Sequence, residues 1–339
     1  MSKKRWNVEL KAITPIHVGG GHQMDPTEYI AKKGYIYYLN QTTYVADLLA
    51  KGNTALASAL DAANLEHICK ILSDAFNPEI KRHWHSRVPV SEVFCKLWYQ
   101  ELNNRNSTLT LHRFIRNAAQ DAPMLPGSSI KGSLRTALLD SLARNDEMQK
   151  KITPLKHRKE FEGQAAEAIL LTCQNKRGGM DVAADPFKYL KVSDATIDST
   201  QILVDKLKRF GMAEKELGVY YEFLAPNQTC SFTIEADERF ELAANHLVKQ
   251  LNVFYKKLIT KEWNWLKDNL KRDGWPAQNV LTEISKSSVT TQGLAVIKLG
   301  FGTGGWGLSL SPWRKDTVKT KWLWKNHPLG WAQLRFEEL

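Results

Sequence analysis

The chain has 339 residues, with 43% hydrophobic and 24% charged content, which excludes a disordered protein and leaves room for two cores. Its 47 Lys+Arg against 36 Asp+Glu give a net charge of +11 and a pI near 9.3, a balance suited to polyanions and above all to nucleic acid. No apolar run approaches the ~20 residues of a spanning helix, and no apolar segment follows the basic Met1–Arg5 as a secretion signal requires. No membrane partner is therefore expected, and the cytoplasm is the expected compartment. Cys69, Cys95, Cys173 and Cys230 are dispersed without a Cys-x-x-Cys pair, so no disulfide framework, zinc site, other metal or cofactor is expected.

In chain order, Trp6, Val8, Leu10 and Ala12 alternate at strand period. The run Gly19-Gly20-Gly21 follows, and then Gly34–Leu39 reads as a second strand. Residues 44–76 read as mainly helical with a break near Gly52, and residues 82–116 stay mixed. That stretch opens on a cluster of Lys81, Arg82, His83, Trp84, His85 and Arg87. Ile130, Leu134 and Leu138 mark a helix over 128–144. Residues 186–194 and 217–224 read as extended, and 230–236 is expected to pair with the latter as a hairpin across Ala225–Thr229. A long helix over 238–271 shows Leu247, Leu251, Phe254 and Leu258 on one face. Two strands near 294–300 and 329–336 enclose a glycine-rich loop.

This irregular mixture predicts an α+β fold of antiparallel sheets with helices packed on one face. The segment Lys176–Asp181 is the best candidate for a flexible loop. It divides the chain into an N-terminal region, 1–175, and a C-terminal region, 176–339.

Three motifs carry the functional argument. In Leu125-Pro126-Gly127-Ser128-Ser129-Ile130-Lys131-Gly132, Pro and Gly make a turn, and Ser128 or Ser129 is placed to cap the helix. Lys131 in the first turn opposes the helix dipole, and Arg135 four residues on repeats the charge. A phosphate at the helix N-terminus reverses both penalties; a plain capped surface helix is the alternative. The second motif, Lys298–Leu308, satisfies GxGxxG through Gly300, Gly302 and Gly305. No helix opening or βαβ length follows it, which excludes a dinucleotide site, and no Lys-Ser/Thr follows, which excludes a P-loop. Its glycines, Gly304 included, admit close backbone approach, and Phe301 and Trp306 are available for base stacking. The competing reading is a structural loop with its aromatics in the core. The third motif, Ile13–His22, sets His17 and His22 beside Gly19, Gly20 and Gly21; such a His is either a general base or structural.

The helix near 251–272 carries Lys256, Lys257, Lys261, Lys267, Lys271 and Arg272 among Phe254, Tyr255, Trp263 and Trp265. A solvated basic face over an aromatic core stripe is the preferred reading. Asp25, Asp194 and Asp198 read as structural.

Four stretches, ITPIHVGGG with DPTEYI (13–30), MLPGSSIKGSLRTAL (124–138), KYLKVSDA (188–195) and LGFGTGGWG with HPLGW (299–331), together resemble the RAMP superfamily of CRISPR proteins. Within it the pattern is most similar to the family of the fifth subunit of type III-A Csm effector complexes. The resemblance implies RRM-like, ferredoxin-type folding with helical insertions. It implies a non-catalytic subunit that caps the 3′ end region of the guide, supports crRNA maturation and complex assembly, and serves antiviral defence. The implied partners are crRNA, the other Csm subunits and especially the repeated backbone subunit, target RNA through the guide, and host nucleases as a further candidate. The matched positions Gly19, Gly20, Gly21, Gly127, Ser128, Ser129, Lys131, Arg135, Gly302, Gly304, Gly305 and Trp306 are the expected RNA-binding residues; the loop around Trp306 departs most from the family pattern. The alternative is a RAMP endoribonuclease that processes precursor crRNA with His17 or His22 as general base. A metal-dependent nuclease using Asp25 and a generic single-strand RNA binder complete the hypotheses.

Overall fold

The computed structural model describes residues 3–102, 108–156, 163–211, 215–240, 244–270, 293–313, 318–325 and 327–339. Strand β1 (Lys3–Ala12) buries Trp6, Val8, Leu10 and Ala12 on one face, as their alternation requires. Then come β2 (Gly19–Met24), β3 (Tyr29–Lys32) and β4 (Tyr35–Leu39). The expected helical stretch is α1 (Gln41–Ala50), α2 (Thr54–Asp61) and α3 (Leu65–Ala75). Asn53 and Asn64 cap the last two by accepting from the amides of Leu56 and His67. The mixed stretch contains β5 (Trp84–Pro89), α4 (Glu92–Glu101), β6 (Thr110–Phe114) and β7 (Arg116–Asn117), with 103–107 outside the described residues.

After β8 (Ala122–Leu125) come α5 (Gly127–Leu142), α6 (Asp146–Lys156) and α7 (Gly163–Leu170). The chain continues through β9 (Leu190–Val192), β10 (Ala195–Thr196), β11 (Ile202–Gly211), β12 (Lys215–Leu224) and β13 (Thr229–Asp237). The long helix α8 (Ala244–Leu270) buries Leu247, Leu251, Phe254 and Leu258. Of the positions read into it, 241–243, Lys271 and Arg272 lie outside the described residues. The chain closes with β14 (Leu294–Lys298), β15 (Thr320–Trp324), β16 (His327–Pro328) and β17 (Trp331–Glu338).

The fold is α+β, as expected. Its largest sheets are β14-β17-β1-β13-β9 and β16-β15-β11-β12-β6-β2. Their pairs are antiparallel except β12 with β6. Both draw strands from either side of the 175/176 division. A smaller sheet, β3-β4-β5, joins the six-stranded one through buried Glu222 on β12. Its carboxylate accepts from the Phe114 amide at 2.7 Å, from Arg116 at 2.8 Å and from the Tyr38 hydroxyl of β4. A carboxylate is tolerable there only because those donors replace its water.

Three expectations need correction. β13 does not form a hairpin with β12; it pairs with β1 and β9. The intervening turn is held by β1 instead: Asn227 donates to the Ala12 carbonyl and Ala12 donates to that of Gln228. Neither Ser128 nor Ser129 caps α5, because the helix starts at Gly127 with Pro126 at the cap position, leaving both serines inside the first turn. The Lys176–Asp181 segment is a closed turn, with Asn175 Oδ1 accepting from the amides of Arg177 and Gly179.

Candidate nucleic-acid interface

The Ile13–His22 motif meets the Lys298–Leu308 motif at His17. Its ring is 3% exposed and its Nδ1 lies 2.7 Å from the Glu222 carbonyl oxygen. A carbonyl only accepts, so Nδ1 carries the proton. Tyr221, Phe223, Phe301 and Phe114 surround the ring with centroids at 5.3, 6.0, 6.1 and 6.1 Å. Burial lowers the His17 pKa below its ordinary value, against the weaker opposing pull of Glu222. This is a sealed neutral imidazole, and its environment is that of a structural residue.

Gly19, Gly20 and Gly21 lie exposed on β2, the edge of the six-stranded sheet. A Cβ on Gly19 would stand 2.9 Å from His17 Nε2, so the strand passes the ring only as glycine. His22 is exposed on the same strand.

The glycine loop after β14 folds against His17 from the other side. The Phe301 amide donates to the His17 carbonyl at 2.7 Å, and a Cβ on Gly300 would lie 2.3 Å from that oxygen. Gly302 and Gly304 have φ of 85° and 66°, backbone that side chains disfavour. Gly304 is exposed and Gly305 half-buried. Trp306 is half-buried and turned onto the main core, with Lys321 Nζ 4.6 Å above its ring. Two of the three predicted segments thus converge on one histidine.

The remaining motif holds the loop from behind. Ser133 of α5 donates to the Lys298 carbonyl at 3.1 Å, Thr136 and Ser309 hydroxyls lie 3.2 Å apart, and Tyr255 of α8 donates to the Ser133 carbonyl. Beneath them Glu262 of α8, 1% exposed, bonds Lys298 at 2.7 Å, Lys321 and the Trp331 indole N–H at 2.7 Å.

At the start of α5, Gly127 is buried and its amide donates to Asp194 at 2.7 Å. Arg135 pairs with Glu167 at 3.1 Å and Asp185 at 2.7 Å, with its guanidinium over Phe187. The charges that seemed misplaced in the sequence are therefore partly answered within the chain. Ser128 is exposed and Ser129 half-buried. Lys131 is half-buried and makes no ion pair among the described residues. Burial lowers its pKa, with Asp185 opposing and Arg135 adding to the shift.

The described residues hold no cluster of three metal-ligating side chains and no helix long and apolar enough to cross a membrane. Burial raises the Cys69 and Cys230 thiols to about 11 and about 12, so both are inert packing groups. The family model for the RAMP superfamily matches residues 9–308. The chain belongs to the RAMP superfamily.

Among curated relatives, the CRISPR system protein Csm5 of Methanocaldococcus jannaschii is 23% identical over 333 residues, covering 91% of this chain and 74% of its own. Csm5 of Mycobacterium tuberculosis is 22% identical over 251 residues, covering 69% of this chain and 67% of its own. Among solved structures, a chain of the Csm–crRNA–target RNA ternary complex of a type III-A CRISPR-Cas system superposes with a TM-score of 0.69 at 16% identity. The match covers 98% of this chain and 100% of that one. Csm5 of T. onnurineus gives a TM-score of 0.68 at 18% identity, covering 96% and 99%. The RAMP fold accounts for nearly the whole chain.

Sequence reasoning missed several residues of this RAMP protein's central site. His112, Tyr221, Arg209 and Trp322 share one sheet face, and Glu222 and Glu262 anchor it from below. Each is a single residue in an ordinary strand or helix, with no local motif to mark it. Asp194 did carry a signal, since it lies in the quoted KYLKVSDA stretch.

Proposed function

We propose that the chain is a non-catalytic, crRNA-binding subunit of a type III-A Csm effector complex. It caps the 3′ end region of the guide, supports crRNA maturation and complex assembly, and serves antiviral defence in the cytoplasm. Its partners are crRNA, the other Csm subunits, especially the repeated backbone subunit, and target RNA through the guide, with host nucleases a further candidate. The observation that carries this reading is the end-to-end likeness to a chain of the Csm–crRNA–target RNA assembly, 98% of this chain against 100% of that one. The net charge of +11, the exposed glycine edge at Gly19–Gly21 and Lys131, without an ion pair among the described residues, support RNA as the ligand. In this reading residues 1–175 supply the glycine edge and α5, and residues 176–339 supply the glycine loop. The sealing of His17 speaks for a binding role over guide cleavage.

The test is co-expression of the tagged chain with the other Csm subunits and a repeat–spacer array. The chain should co-purify with them and with crRNA, and its deletion should leave guides with longer 3′ ends. Full assembly with normal guides in its absence would overturn the reading. So would site-specific cleavage of a repeat-containing precursor by the isolated chain.

A further inference from the structure

The six-stranded sheet carries a column of rings on the face turned away from α8. His112 of β6 stacks on Tyr221 of β12 at 4.5 Å and 9°, and Tyr221 stacks on Phe301 of the glycine loop at 5.4 Å and 23°. Phe301 leads to Trp322 of β15 at 5.9 Å. Tyr221 is buried, whereas His112 and Trp322 at the two ends are half-exposed. Phe301 is the one ring partner of Trp322 among the described residues. The column therefore ends on a half-exposed indole that packs against the cluster of Leu207, Tyr221, Phe223 and Leu329.

Beside that indole stands Arg209 of β11, the cross-strand neighbour of Trp322. Directly paired residues share a sheet face. The Arg209 side chain makes no ion pair or hydrogen bond among the described residues, and its Nε is buried without an acceptor. The residue as a whole is half-buried, and a guanidinium left without a carboxylate is a ready partner for a phosphate. The nearby carboxylate on this face, Asp205, is already taken by the Trp324 indole N–H at 2.9 Å and by Lys325 at 3.6 Å.

We propose that the Trp322–Arg209 corner is a subsite for one nucleotide of single-stranded RNA, with the base stacked on the Trp322 indole and a phosphate on the Arg209 guanidinium. An open aromatic face accepts any unpaired base, and a base inside a duplex has no free face to offer. The chain's charge of +11 favours a polyanion over a neutral peptide. This inference rests on the RNA-binding reading above and assigns it a place.

The experiment measures binding of a fluorescein-labelled ten-nucleotide RNA to the full chain by anisotropy across a salt series. Trp322→Leu should weaken binding by roughly tenfold. Arg209→Gln should weaken it and reduce the salt slope by about 0.7, one phosphate's worth for a single strand, with Arg209→Lys restoring part of the loss. Lys257→Gln, on the exposed face of α8, should leave binding unchanged. Because Trp322→Leu risks the fold, 4-thiouridine RNA is also crosslinked to the unmodified chain and should mark residues 318–325. No binding by the unmodified chain would overturn both this subsite and the RNA-binding reading. Normal binding in both variants, with loss confined to Lys131→Glu, would overturn the subsite alone. Normal RNA binding with lost co-purification of partner subunits would make the corner a protein interface and overturn the subsite as well.

Discussion

The amide of Gly127, the first residue of α5, donates to the carboxylate of Asp194 at 2.7 Å. The turn between β9 and β10 thus supplies an anion to the helix N-terminus. It comes so close that a Cβ on Gly127 would lie 2.2 Å from the Val192 carbonyl oxygen. Asp194→Ala should cost about 1 kcal/mol of stability, the usual worth of a helix cap. Gly127→Ala should cost about 3 kcal/mol, because backbone rather than a flexible side chain must move. Urea unfolding of the two variants checks both values, and equal stabilities would refute the close-approach argument.

Among the described residues Lys131 is the cation of this turn left without an ion pair, since Arg135 already serves Glu167 and Asp185. Lys131→Glu should therefore keep the fold, with the new carboxylate near Arg135 one helical turn on. RNA affinity should fall and the slope of log affinity against log salt should decrease by about 0.7, the share of one single-strand phosphate. Anisotropy with guide RNA, beside a thermal melt, tests this. Unchanged affinity returns the turn to the role of a plain helix start.

Periodic burial was legible in the sequence because it is a local property. Trp6, Val8, Leu10 and Ala12 had to share a face, and Leu247, Leu251, Phe254 and Leu258 had to share a stripe. The hairpin expected at Ala225–Thr229 failed because spacing says nothing about which strand is nearer in space. The β1 backbone, from the far end of the chain, takes the hydrogen bonds of that turn. The three motifs were visible as motifs, yet their division of labour was not. His17 is central because four strand and loop segments wrap it, and Arg209 matters because its side chain has no ion-pair or hydrogen-bond partner among the described residues. Both are facts of tertiary contact. The RAMP resemblance was legible because four motif stretches between residues 13 and 331 carry it, and the family model matches residues 9–308.

Glu262 should dominate the acid limb of stability. Burial alone would raise its pKa, but Lys298 and Lys321 pull it down from 4.5 to about 2. A depressed carboxyl stabilises the fold above the unfolded value and loses that contribution as pH falls through the folded one. The loss should run between pH 4.5 and about 2 and amount to about 3 kcal/mol. Lys298 tells a different part of the same story. Its burial outweighs its half-share of one carboxylate and leaves it at about 8. Glu262→Gln strands two buried ammoniums and should cost roughly 3–5 kcal/mol at neutral pH. The variant should regain stability as pH rises from 7 to 9 and Lys298, already lowered to about 8, sheds its proton. Chemical unfolding at these pH values, with no such recovery, would dismiss the buried-charge account.

His17 offers the last test, because its two readings differ in what a proton does. A general base near the surface gains or loses activity as it titrates. A sealed imidazole only destabilises the fold when forced to charge. Burial holds the folded pKa of His17 below 6.5, so the unfolded chain takes up its proton first on acidification. Stability from this group is complete above pH 6.5 and is lost as pH falls from there toward the folded value. His17→Gln keeps an N–H donor for the Glu222 carbonyl but cannot titrate. It should begin about 1–2 kcal/mol less stable from poorer packing among the four rings. It should then lose less between pH 7.5 and 5.5 than the unmodified chain, while binding guide RNA with the same affinity. Urea midpoints at the two pH values decide the matter. An equal acid loss in both proteins would remove His17 from the pH response, and lost RNA binding in a folded variant would make the ring part of the interface after all.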